Sequence, residues 1–118
     1  RIVEAEATDK DEKSKILVAN VILNRVRSKE FPNSIEAVVF QRAYGKVQFS
    51  PTADGRYESV HITKSTKRSV KKALEDGIDY SEGALYFVEK TMANPKNVSW
   101  FDEALTRLFT YQGHSFYK

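Results

Sequence analysis

The chain has no cysteine. Disulfides, thiolate nucleophiles and thiolate metal sites are therefore excluded together. Histidine is scarce as well: His61 and His114 stand far apart and form no local ligand motif. That argues against a metal-centred enzyme, although carboxylates from distant segments can still bind a hard cation. No apolar run approaches the roughly 20 residues that cross a bilayer. Charge of one sign is also in short supply. Nineteen basic residues against 16 acidic ones give a net charge of +3. A nucleic-acid reader usually shows a stronger and more clustered bias. The densest basic run, KSTKRSVKK at 64–72, reads as the solvated face of a helix. A mildly basic chain also suits an acidic polymer such as a bacterial wall.

What is present fits one folded domain over residues 1–118. The 41% hydrophobic and 30% charged residues belong to a folded chain with a modest core. The chain opens on Arg1, with no charged-then-apolar leader ahead of the first helix. This is expected of an excised fragment whose targeting information lies elsewhere.

The strongest periodic signal predicts a helix from about Glu12 to Arg27. Ile16, Leu17, Val18, Val21, Ile22, Leu23 and Val26 cover well over half its circumference. Such a helix is buried on most sides, as a central helix would be. Its polar stripe is Lys13, Asn20, Asn24 and Arg27. Asn20 and Asn24 are expected either to bond neighbouring loops or to border a cleft. Asp9 and Glu12 have the spacing of a capping box at its start. Ser34 can cap a short helix over IEAVVF. A third helix is expected from Thr63 or Ser65 to Glu75, burying Val70, Ala73 and Leu74 and ending at Gly77. Residues 84–88, ALYFV, read as a strand, and Phe101 to Leu105 as a helical turn. Residues 106–118 read as a hairpin around Gln112 and Gly113. The fold class is therefore α+β: helices around a central buried helix, with a small antiparallel sheet. Between these elements, residues 41–57 form a long aromatic-rich connection of the kind that is functional in a compact domain.

The first seven residues, RIVEAEA, carry two glutamates. At about 100° per residue in a helix, Glu6 falls on the face of Ile2 and Val3, while Glu4 points away toward solvent. A carboxyl held against apolar groups is hard to ionise, and a protonated glutamic acid is what general acid catalysis needs. The plainer alternative is that Glu6 pairs with an arginine such as Arg25 or reaches water. Periodicity alone leaves both open.

Several stretches occur together in order: IVEAEA, VANVILNRVRS, FPNSIEAVVF, QFSPTADG, GALYF, Trp100 and GHSFY. This set resembles the SleB-type cell wall hydrolases, the spore cortex-lytic enzymes, over essentially the whole chain. The resemblance implies a lysozyme-like fold acting on peptidoglycan as a lytic transglycosylase. It places the catalytic acid at Glu6, in Ala5-Glu6-Ala7, and asks for no acid at Glu4. It implies that Gln48, Phe49 and Ser50 line the glycan groove, with Tyr86 and His114 facing the same cleft. Phe49 and Trp100 suit a core position equally, and His114 suits a buttress under the hairpin. The segments QRAYGKV and ESVHITKS depart from the family pattern, so fine substrate preference does not carry over. No metal and no cofactor are implied. The implied partner is the glycan strand, not nucleic acid or a membrane, and the chain is expected to be exported and to act as a monomer in the wall or cortex.

Ordinary glycosidases use two carboxylates, whereas the motifs supply one; Asp54 and Glu58 are the nearest alternatives for a second. The competing classes are an amidase, which usually relies on a metal held by His and carboxylate, a non-catalytic wall-binding module, and a basic nucleic-acid module resting on residues 64–72.

Overall fold

The central helix organises everything else. A computed structural model of the chain describes residues 1–8, 10–43, 46–47, 49, 51–89 and 103–118. Helix α1 covers Ile2–Glu6 and α2 covers Glu12–Arg27, the span that the apolar pattern predicts. Along α2, every residue from Ser14 to Ile22 is buried. Its two sides serve two clusters. Ile16, Val18, Ala19 and Ile22 pack with Ile2, Val3, Val38, Val39 and Ala73. Leu17 and Val21 pack with Ala84 and Phe116 of the sheet region. Burying an aliphatic side chain in this way contributes roughly 1.5–3 kcal/mol, so one helix anchors both halves.

The cap of α2 differs from the expected one. Asp11, not Asp9, is the N-cap, and its side chain accepts from the Ser14 N–H at 2.8 Å. Asp9 lies outside the described residues. Helix α3, Ile35–Val39, is capped by Ser34 as expected. Next come strands β1, Arg42–Ala43, and β2, Lys46–Val47, which pair antiparallel. Helices α4, Pro51–Asp54, and α5, Arg56–Ser59, follow. These short pieces occupy the connection that the sequence leaves unstructured; each is too short to show a period. Pro51 opens α4, a position where its missing N–H costs nothing. Gly55, at φ +87°, turns the chain between α4 and α5.

Helix α6, Lys64–Leu74, starts at Thr63, whose hydroxyl accepts from the Thr66 N–H at 3.2 Å. Its buried face is Thr66, Ser69 and Ala73, while Val70 is half-buried and Leu74 is 50% exposed. This corrects the expected face of Val70, Ala73 and Leu74. Small residues at those positions let α6 lie close against α2, with which it packs. The basic residues Lys64, Lys67, Arg68 and Lys71 point to solvent, as the sequence suggests.

Strands β3, Tyr86–Glu89, β4, Arg107–Tyr111, and β5, His114–Tyr117, form an antiparallel sheet in the order β3-β5-β4. The central strand β5 is buried throughout. Gln112 and Gly113 both have positive φ, 44° and 85°, the conformation a two-residue hairpin turn requires. Residues 103–104 are helical and Leu105 is a bend, while Trp100, Phe101 and Asp102 lie outside the described residues. No helix among the described residues is long and apolar enough to cross a membrane.

Asn20 and Asn24 bond loops. Asn20 donates to the Ile78 carbonyl at 2.9 Å and accepts from the Tyr80 N–H at 3.1 Å. Asn24 donates to the Ser81 hydroxyl and the Ala84 carbonyl, both at 2.9 Å. Together they tie the stretch between α6 and β3 to the central helix. That stretch in turn sets the height of Tyr86.

Candidate active site

The two glutamates of α1 have opposite surroundings. Glu4 is 3% exposed, which overturns the expectation that it faces solvent. The periodicity argument assumed one buried face. Helix α1 instead packs against α2, α4, α5 and α6, so a five-residue helix has almost no free side. The Glu4 carboxylate accepts the Thr63 N–H at 2.8 Å and the Thr66 hydroxyl at 3.0 Å, at the N-terminus of α6. That end of a helix favours negative charge. Burial works to raise the Glu4 pKa. The Thr63 N–H, the Thr66 and Thr63 hydroxyls and Lys15 outweigh burial and hold it below the usual carboxylate value. Glu4 is thus a strut that joins α1 to α6, its ionised form favoured by these donors.

Glu6 closes α1 and is half-buried. The charge acting across from it is Arg25 of α2, whose ionised form it favours. Arg25 is 4% exposed and donates from Nε to the Leu85 carbonyl at 2.7 Å. Its guanidinium carbon lies 4.9 Å from the ring centre of Phe31, 5.1 Å from Phe49 and 5.3 Å from Tyr86. Burial pulls the Arg25 pKa down to about 10, against which Tyr86 and Glu6 push. Arg25 therefore stays charged at neutral pH.

This arrangement gathers three of the residues that the sequence singles out. The rings of Phe49 and Tyr86 lie against Arg25, and the Glu6 charge acts on it. Tyr86 is half-buried and meets Phe31 edge-on at 5.8 Å. Phe49 is 2% exposed and touches Phe87 at 6.1 Å between ring centres, so it belongs to the core behind the site. His114 is 2% exposed in β5, edge-on to Phe87 at 5.4 Å, beneath the sheet surface. Gln48 and Ser50 lie outside the described residues. The alternatives Asp54 and Glu58 are exposed, and Asp54 pairs with Arg56 at 2.9 Å. Among the described residues no three His, Cys, Asp or Glu side chains cluster to hold a metal.

Two contributors escaped the sequence reading: Phe31, and Arg25 as the centre of the group. The available signal was an arginine inside the apolar run VILNRV, followed by the aromatic of EFP. A separate pocket of about 520 Å³ lies against Ile2, Val3, Ile22, Val39 and Leu74 and does not include Glu6. Its lining is largely aliphatic, with few groups to hydrogen-bond a sugar.

A helical core with a small three-stranded antiparallel sheet makes this an α+β domain, the class that the sequence predicts. Comparison with known proteins narrows it. The model of the Cell Wall Hydrolase family matches residues 9–117, and the chain belongs to that family. It is similar to the spore cortex-lytic enzyme of Bacillus subtilis (strain 168), 34% identical over 85 residues, covering 72% of this chain and 26% of that protein. A spore cortex-lytic enzyme of Bacillus cereus is 38% identical over 85 residues, covering 69% and 29%. The chain thus spans about a quarter of the length of the curated relatives it matches. Among solved structures, the catalytic domain of the germination-specific lytic transglycosylase SleB from Bacillus anthracis superposes with a TM-score of 0.80. That match has 28% identity and covers 99% of this chain and 88% of that one. The catalytic domain of the Bacillus cereus SleB protein gives a TM-score of 0.78 at the same identity.

Proposed function

We propose that this domain cleaves the glycosidic bond between N-acetylmuramic acid and N-acetylglucosamine in peptidoglycan, as a lytic transglycosylase, with Glu6 as its single acid and base. The cortex wall of the spore, opened at germination, is the substrate this reading favours. One observation carries it: almost the whole chain superposes on a solved lytic transglycosylase domain. The family match begins downstream of Glu6, so support for Glu6 comes from its setting. Of the two glutamates in RIVEAEA, Glu4 is saturated by hydrogen bonds and held ionised. Glu6, half-buried at the end of α1 and within reach of the Arg25 charge, is the one this reading assigns to give and take a proton.

Protonated Glu6 donates to the glycosidic oxygen as the bond to the muramic C1 breaks. Positive charge develops at C1, where the substrate's own N-acetyl group stabilises it. The Glu6 carboxylate then takes the proton of the muramic C6 hydroxyl, whose oxygen closes onto C1. The product is a 1,6-anhydro sugar, and Glu6 is again protonated. No activated water and no second carboxylate are needed. General acid help of this kind is worth roughly 10²- to 10⁴-fold.

The test is a digest of purified cortex and of vegetative peptidoglycan, with fragments identified by mass spectrometry. Anhydromuramic ends are expected, and faster release from cortex. Free reducing muramic ends instead mean hydrolysis and a second carboxylate. Intact glycan strands with released peptides mean an amidase.

A further inference from the structure

Arg25 is costly where it stands. It and Lys15 are the buried cations among the described residues. Its Nη1 is buried and finds no acceptor among the described residues. Three aromatic rings and one carbonyl surround the rest. Replacing a buried charge by an apolar side chain of similar volume is often neutral or stabilising. Packing alone would therefore be served as well by methionine, and the charge needs another explanation.

Two features supply it. The three rings come from three separate segments: Phe31 follows α2, Phe49 stands between β2 and α4, and Tyr86 opens β3. Phe49 stands between Gln48 and Ser50 in the sequence, and these with Tyr86 are residues that the family resemblance places at the groove. One guanidinium face-to-ring contact is worth about 0.5–2 kcal/mol, so Arg25 holds three segments at once. Its charge also reaches Glu6. A carboxyl that must lose a proton and later regain it is helped by a fixed cation that stabilises its ionised form between the two steps.

We propose that Arg25 is a positioning residue of this site: its guanidinium aligns the segments that carry Phe31, Phe49 and Tyr86 and stabilises the Glu6 carboxylate between proton donation and proton return. This rests on Glu6 being the acid and base. The elements packed against α1 bring other charges: Lys15 from α2, Asp54 from α4, Arg56 and Glu58 from α5, and Lys64 from α6. Lys15 acts on Glu4, Asp54 and Arg56 pair with each other, and Glu58 and Lys64 are exposed. Arg25 is the buried cation whose charge meets Glu6.

The experiment compares wild type, Arg25→Met, Arg25→Lys and Glu6→Gln for anhydromuropeptide release across pH, with thermal unfolding of each. Arg25→Met is expected to fold, to lose kcat by roughly 10- to 100-fold and to keep KM within about threefold. Without the cation, Glu6 stays protonated to higher pH, so the alkaline limb of its kcat profile moves up by about one unit. Arg25→Lys restores the charge; its limb stays at the wild-type position and part of kcat returns. A folded Arg25→Met with wild-type kcat and an unmoved limb overturns the proposal. So does an Arg25→Lys limb that moves as far as that of Arg25→Met, because then the charge is irrelevant. If Arg25→Met does not fold, Arg25→Gln, which keeps an N–H for the Leu85 carbonyl, takes its place with the same outcomes. Glu6→Gln separates the two readings. An active Glu6→Gln sinks the role of Glu6, whereas an inactive Glu6→Gln beside a wild-type-like Arg25→Met sinks Arg25 alone.

Discussion

On one side of α1 the Glu4 carboxylate meets a backbone N–H, a threonine hydroxyl and the start of an eleven-residue helix. Two residues along, Glu6 feels the charge of a buried guanidinium that lies among aromatic rings. The first setting consists mostly of short-range donors that lock one protonation state and one position. The second is a fixed charge among aromatic rings, with Glu6, Phe31 and Tyr86 half-buried. Identical side chains thus stand in different settings, one a buried strut and the other our proposed acid and base. Burial alone does not make an acid: Glu4, the more buried of the two carboxyls, has its ionised form favoured by its hydrogen bonds.

The widest gap between the two sides should appear on removing each carboxylate. Glu6→Gln is expected to reduce fragment release by at least about 10²-fold while unfolding at nearly the wild-type temperature. Comparable activity in that variant would break the comparison outright. Glu4→Gln should do the reverse. It should lose roughly 1–3 kcal/mol in denaturant unfolding and keep most of its activity per folded molecule. The pH dependence sharpens this. Because the folded-state pKa of Glu4 is depressed, its contribution is fully present above its unfolded value near 4.5 and is lost as pH falls through the lowered folded value. Wild type and Glu4→Gln should therefore converge in stability on acidification below about pH 4.5, and a constant gap would contradict the ionised strut. A narrower probe is Thr66→Val, which removes one donor to Glu4. A loss of about 1–2 kcal/mol is expected, less than for Glu4→Gln, with no change in the products of digestion. The smallest effect is expected at Lys72→Ala. Its exposed pair with Glu12 at 2.6 Å belongs to neither side, so unfolding should change by under about 1 kcal/mol.

Much of the frame was legible without coordinates. The limits of α2, the Ser34 and Thr63 caps and the Gln112-Gly113 turn follow from local rules: apolar repeats, hydroxyls before a helix, and positive φ in a tight turn. The loop-bonding role of Asn20 and Asn24 was one of two open readings, and burial against residues 78–84 decided it. The cap at Asp11 was missed because Asp9 offered the same chemistry two residues earlier. The hairpin of β1 and β2 and helices α4 and α5 were missed because two- to four-residue elements carry no period.

Sequence by itself determined the family pattern, the α+β class, the central helix and the two carboxyls worth weighing, because these depend on residue type and short spacing. It could not determine which face of α1 is free. A helix wheel knows one axis, and α1 touches four other helices. Only the folded chain brings Thr63 and Thr66 against Glu4, and Arg25 toward Glu6 with rings from three distant segments around it. Hydrogen bonds and charges act over a few ångströms of space, and that proximity is a property of the packing.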